Sequence, residues 1–387
     1  MTRFSARFWK YFASLNITIA ALTAFFVLVF VGTLDQVNLG IFYAQKKYFQ
    51  SFFVYWQVTP SMRVPVFPGG FLIGIVLLLN LMAVIMSKRL FQWKKIGLCL
   101  VHVGIVFLIL GFGLTSFLAV ESQLALSEGE TKSYSKDSRF VELALVDRSH
   151  SEYDEVISIP ESVLKRGGKI TVPGHPFSME VLSFYENVQL LPKINHSESQ
   201  KETVGNPIIE GIGANLHVRP MPVLVRDDQL NFVTVLLRFF DQNNRAVGTW
   251  LFSRGLSQPQ VVTVGGKPYD AMIRPIRYYE NYSLTLKKFS HDVYPGTSIP
   301  KNFSSLVHLS DPEKKESRDT LIYMNHPLRY QNKTYYQASY GENNTLSVLQ
   351  VVANPGWLLP YFSSILIALG LCIHFFMVLF QRRRRSV

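Results

Sequence analysis

Two histidines, His102 and His374, stand inside long apolar runs that carry no charged residue. An imidazole at membrane depth is costly and is by default a candidate for function. His102 lies six residues after Ile96, and His374 six residues before Phe380, each near the end of its run that borders a basic cluster. At about 1.5 Å rise per residue, both sit roughly 9 Å inside the same boundary. Two imidazoles at matched depth on antiparallel helices could ligate one haem iron, which accepts axial histidine. Each could instead ligate with a partner protein, or donate a single hydrogen bond across a helix interface.

Lys88, Arg89, Lys94 and Lys95 crowd the same boundary. Lys94 and Lys95 are candidates to hold the two propionates of a haem, with ordinary topology charge as the competing explanation. Cys99 precedes His102 by three residues on one helix face, a C-x-x-H pair without further ligands nearby. Gly104, Gly111 and Gly113 would permit close approach of a helix or ligand. The remaining histidines (150, 175, 196, 217, 291, 308 and 326) lack metal-ligand spacing. The chain holds no P-loop, nucleophile elbow or H-E-x-x-H. Its two cysteines, Cys99 and Cys372, both fall in apolar runs. Without C-x-x-C or C-x-x-C-H the chain is not itself a thiol exchanger and does not attach c-type haem to itself.

The elements that must position these residues follow from composition. Of 387 residues, 48% are hydrophobic and only 17% charged, too apolar for an ordinary soluble protein. The net charge of +12 could suggest nucleic acid, but eleven basic and no acidic residues lie in three short stretches: 1–14, 87–95 and 381–387. The rest of the chain is close to neutral, so no nucleic-acid face is expected. These stretches border four charge-free runs, Leu15–Leu34, Phe67–Met86, Ile96–Val120 and Trp357–Phe380, each of at least 20 residues. A helix of about 20 apolar residues crosses the hydrocarbon core. Uncompensated Lys and Arg place both termini and the loop between the second and third spans in the cytoplasm. The first run ends without a small-x-small site and reads as an anchor rather than a cleaved leader.

The expected organisation is therefore a membrane α plus β protein. Residues 1–34 form the cytoplasmic N-terminus and first helix, 35–66 a short extracytoplasmic loop, and 67–120 the second and third helices with their basic loop. A large extracytoplasmic β-rich, sandwich-like domain fills 121–356, and 357–387 hold the fourth helix and basic tail. Period-two runs such as Phe140–Val146, Phe177–Phe184, Phe232–Phe239, Tyr282–Leu286 and Leu346–Val352 predict its strands. The region from Leu191 to Met221, polar and then Gly-rich, reads as a loop or as the joint between two lobes.

An ordered set of short motifs resembles the ResB (CcsB) family of cytochrome c biogenesis, the membrane component of system II. The set comprises Gly32-Thr33, Leu79-Asn80-Leu81, Leu100-Val-His102-Val-Gly104, Leu114-Thr115-Ser116 and Glu128-Gly129-Glu130. It continues through Lys288-Phe289, Tyr294-Pro-Gly296-Thr297, Pro300–Ser305, Asn325-His326-Pro327-Leu328, Tyr336–Tyr340 and Asn354-Pro355-Gly356. The order holds across most of the chain, although residues from Ser149 to Gln258 carry little that aligns. Leu34 is followed by Asp35-Gln36 where the family often has Pro-Gln. The resemblance implies a bacterial inner-membrane protein that handles and exports haem with a CcsA/ResC-type partner and supports its attachment to apocytochrome c. His102 matches the family's third-span haem ligand; the resemblance assigns no role to His374. The five tryptophans (9, 56, 93, 250 and 357) are dispersed, so the partner's Trp-rich segment is not present. Ligase activity would then belong to the complex, with a thioredoxin-like protein supplying thiol reduction and lipid surrounding the spans. Two other readings compete: a b-type membrane cytochrome using His102 and His374, and a non-catalytic membrane scaffold.

Overall fold

The computed structural model describes residues 9, 11–59, 62–87, 90–150, 153–193, 209–226, 229–297, 300–341 and 345–385. Helix α1 spans Leu15–Ala44, with the Ser14 hydroxyl accepting from the Asn16 backbone N–H at its start. The apolar run stops at Leu34 but the helix does not, because nothing at Asp35-Gln36 breaks it. The break comes at Gly40, whose φ of 70° takes the backbone out of the helix into a region that favours glycine. Ile41–Phe49, ending in a π turn, then folds back along α1. Lys47 and Tyr48 bond Asp35 at 2.7 and 2.9 Å, and the Phe49 ring reaches Phe25. The tip of this return touches the outer domain: the Arg139 guanidinium lies 4.2 Å over the Phe42 ring, with Phe140 beside it.

A hairpin follows, β1 (Phe53–Thr59) with β2 (Met62–Pro68), and then α2 (Gly70–Ser87). Asn80 at mid-span is buried and fully occupied. Its amide donates to the carbonyls of Phe12 and Ser14, and its oxygen accepts from the Thr18 hydroxyl. An amide in lipid needs such partners, which explains how Asn80 ties the start of α1 to α2. Helix α3 spans Ile96–Leu118 after one 3-10 turn at Trp93–Lys95.

The outer domain begins with β3 (Val120–Ser127), β4 (Thr131–Asp147), β5 (Glu155–Pro160), the short α4 (Glu161–Arg166), β6 (Gly168–Thr171), β7 (Phe177–Tyr185) and β8 (Val188–Pro192). It continues through β9 (Leu216–Pro220), β10 (Thr234–Asp241), β11 (Ala246–Ser253), β12 (Gln260–Val264) and β13 (Lys267–Val293). Strands β14 (Pro300–Asp311), β15 (Glu316–Tyr323), β16 (Leu328–Tyr330), β17 (Lys333–Tyr340) and β18 (Leu346–Ala353) complete it, and α5 (Leu359–Arg385) returns to the membrane.

Two cores define two lobes. In the first, the sheet β11-β10-β7-β6 faces β5, β12 and one half each of β4 and β13. Val141, Leu143 and Leu145 of β4 pack there with Met179, Leu237, Phe239, Phe252 and Ile273. This is the expected sandwich: alternate residues of each strand point inward. In the second lobe the sheet runs β15-β14-β13-β4-β3-β18-β17-β16 and curls on itself. Its ends, β15 and β16, are consecutive in the chain and meet through the Tyr323–His326 bridge. Leu124, Leu126, Leu284, Leu286, Val307, Leu309, Leu349 and Val351 fill the interior. The joint between lobes is thus the pair of long strands β4 and β13. The described parts of 191–221 instead supply the end of β8 and its partner β9, a side hairpin.

Candidate functional site

Glycines bring α3 and α5 together. Gly97, Gly104 and Gly111 recur every seven residues and are buried, so they form one line along α3. A Cβ at Gly97 would fall 2.5 Å from the His374 backbone nitrogen and 2.8 Å from the Gly370 carbonyl oxygen. One at Gly104 would meet Ile367, and one at Gly111 would meet Leu359. The two backbones therefore run in direct contact, as small residues permit in a bilayer. Gly113, the other expected approach point, faces open space and plays no such part. Gly97 is the glycine of this line that sequence alone does not single out, because it stands at the very start of the apolar run, beside the basic cluster.

The His374 backbone lies in this seam. His102 does not: at 3.6 residues per turn it stands roughly 140° around α3 from the glycine line. A third flank of α3 carries Cys99, Val103 and Val106, which pack with Ile85 and Leu90 next to α2. Cys99 is buried in that contact. His102, one turn from both Cys99 and Val106, stands at the border of that flank, off the glycine line, and is half-buried.

Its ring is nonetheless oriented. The Nδ1 of His102 is 2.8 Å from the Leu98 carbonyl oxygen, one turn earlier. A carbonyl only accepts, so Nδ1 carries the proton and donates, and Nε2 is left with its lone pair. A hydrogen bond that fixes the tautomer and raises basicity is the usual preparation of a ligating imidazole. The donor set therefore fits an axial ligand to haem iron. Lys94, exposed, and Lys95, half-buried, lie in the 3-10 turn just before α3, two turns from His102 in sequence. Lys88 and Arg89 fall outside the described residues, as does His196. No group of three or more His, Cys, Asp or Glu able to hold a metal ion occurs among the described residues.

In the outer domain, the scattered motifs meet in the second lobe. Glu128 accepts from the Phe289 backbone N–H at 2.7 Å, and the Gly129 N–H donates to the Leu286 carbonyl. The Ser305 hydroxyl donates to Gln337 at 2.6 Å, and Phe289, His291 and Phe303 all contact the Tyr340 ring. Across the membrane boundary, Thr115 bonds Asn354, 239 residues away. These polar residues hold one another and frame the lobe. His308 sits between Asp319 (2.6 Å) and Ser317 (3.1 Å) in the order of a hydrolytic triad. Its side chains lie on an exposed sheet face, where Lys287 also binds Asp319, so the row reads as a surface ion-pair network.

Among the described residues, four helices long and apolar enough to cross a bilayer, with a two-lobed β domain between the third and fourth, define a multi-pass membrane protein. Residues 256–348, from the approach to β12 into β18, match the ResB-like family. The chain is also 27% identical over 299 residues to Protein NrfI of Wolinella succinogenes, an alignment covering 76% of this chain and 29% of that protein. It thus spans less than a third of the length of this curated relative. Together the two matches support a ResB-family assignment, and the family segment covers β12, β13 and β14 to β17, most of the second lobe but not its β3 or β4.

Proposed function

We propose that this chain is the ResB-type component of system II cytochrome c biogenesis, with haem as its cargo. It would sit in the bacterial inner membrane with both termini cytoplasmic and the β domain outside. A CcsA/ResC-type protein would share the haem, and apocytochrome c would receive it at the outer domain. Ligation chemistry would belong to the complex rather than to this chain. Client thiols would be kept reduced by a separate thioredoxin-like protein, since both cysteines here lie in spans.

The observation that carries this reading is the Leu98–His102 hydrogen bond, which prepares Nε2 as a ligand on the flank of α3 turned away from the α5 seam. That flank is where a second membrane protein could supply the other axial ligand. The azimuth of His102 weighs against the b-type cytochrome reading, because His374 packs its backbone into the seam on another side. Lys94 and Lys95 could meet propionates at the cytoplasmic mouth. Absorption spectra of the detergent-purified chain, with and without a co-expressed partner, test the proposal. Haem is expected with the partner present, lost in His102→Ala and retained in His374→Ala. Full occupancy in His102→Ala would overturn the assignment, and loss in both variants would favour the two-histidine cytochrome.

A further inference from the structure

The first hairpin is difficult to explain as a water-exposed element. Of its described side chains only Val54 is buried, while Trp56 is 68% exposed, Val58 and Met62 54% and Val66 52%. Its foot is fixed at the membrane boundary: the Gly69 N–H donates to the Phe52 carbonyl and the Phe71 N–H to the Ser51 carbonyl, where α2 begins. With 18 residues, α2 is about 27 Å long, enough to span the hydrocarbon core with little to spare. The Phe71 ring stacks on Phe117, near the end of α3, at the same level. An apolar ribbon rooted at this depth lies against the interface, where Trp and Tyr are at home.

Between the hairpin foot and the returning end of α1 is a cleft of about 460 Å³. Lys47 and Arg63 line it together with Phe52, Phe53 and Tyr55. Lys47 is paired with Asp35 at 2.7 Å, whereas Arg63 forms no ion pair with a described residue. One positive charge is therefore left over, in a cleft with aromatic walls, at the level of lipid headgroups. We propose that this cleft binds the phosphate of an anionic phospholipid in the leaflet on the outer-domain side, its acyl chains lying along the apolar hairpin. Arg63 supplies the forked donors that suit a phosphate, and Lys47 adds a second donor.

Native mass spectrometry of the full chain in detergent, titrated with phosphatidylglycerol or phosphatidylcholine, tests this. Phosphatidylglycerol should be retained in preference to phosphatidylcholine. Arg63→Gln should lower its retention about five-fold, the effect of removing one interfacial cation. Arg63→Lys should restore most of it, which separates charge from misfolding. Equal retention of the two lipids, or undiminished phosphatidylglycerol on Arg63→Gln, would overturn the proposal, as would displacement of the lipid by millimolar inorganic phosphate. No haem is involved, so the outcome is independent of the functional reading above.

Discussion

A single backbone carbonyl, that of Leu98, decides which nitrogen of His102 is free, and no side-chain pattern announces it. Depth counted from the ends of the apolar runs predicts matched levels for His102 and His374, but the His374 backbone lies level with Gly97, about 7 Å along α3 from His102, because the register of the two helices is set by the glycine seam and not by where each run ends. Azimuth relative to a neighbouring helix was not legible either, because it depends on which stripe of small residues finds a partner. Elsewhere single carboxylates carry pH dependence. The Ser149 hydroxyl, then its backbone N–H, then Lys267 hold the Asp147 carboxyl down at about 2. In the second lobe the Lys314 N–H, the Tyr330 hydroxyl and Gln331 hold Asp311 low as well. A carboxylate depressed in the folded state stabilises fully above its ordinary pKa of about 3.9 and loses that contribution as pH falls through the folded value. Melting of the purified protein followed by circular dichroism should therefore show a steady midpoint from neutral pH to about pH 5, then a fall toward pH 2. Asp147→Asn should make that fall shallower, and an unchanged acid limb would remove Asp147 from the account.

The helices show how tightly small residues constrain an element. Gly97→Ala places a methyl group against the His374 and Gly370 backbones, neither of which can rotate away. Gly113→Ala meets nothing. The first variant should lower the melting midpoint and yield in detergent while the second leaves both unchanged; equal behaviour would mean that the α3–α5 seam is not close-packed. The four spans and most strands were readable in advance because hydrophobic length and period-two alternation are properties of local sequence. The return of α1 was not. Its apolar run ends at Leu34, but the helix continues to Gly40, and Ile41–Phe49 is held by contacts with residues 25–35 rather than by its own periodicity. The β1–β2 hairpin was likewise hidden, since its alternation is blurred by apolar residues on both faces.

At the scale of the whole molecule, the outer domain is two cores joined by two strands that run through both. Each lobe borrows half of β4 and half of β13, so neither can lose that pair without opening the other. Glu142 and Arg274 face each other across these strands on the first-lobe side of the joint, buried, 2.8 Å apart, with the Ser158 hydroxyl also donating to Glu142. Removing one partner strands a charge in the interior, at a cost of about 3–5 kcal/mol, whereas replacing both by apolar side chains is often close to neutral. Arg274→Met should therefore destabilise strongly, and Glu142→Leu/Arg274→Met should recover much of the loss. Because the strands are shared, hydrogen exchange in Arg274→Met should accelerate in β10 and β11 of the first lobe and also in β14 and β15 of the second, although neither of the latter touches the pair. Acceleration confined to the first lobe would mean that β4 and β13 merely tether two independent units. Propagation would make the domain one cooperative body, so that the Arg139 contact with the α1 return, located at the joint itself, couples both lobes to the membrane helices.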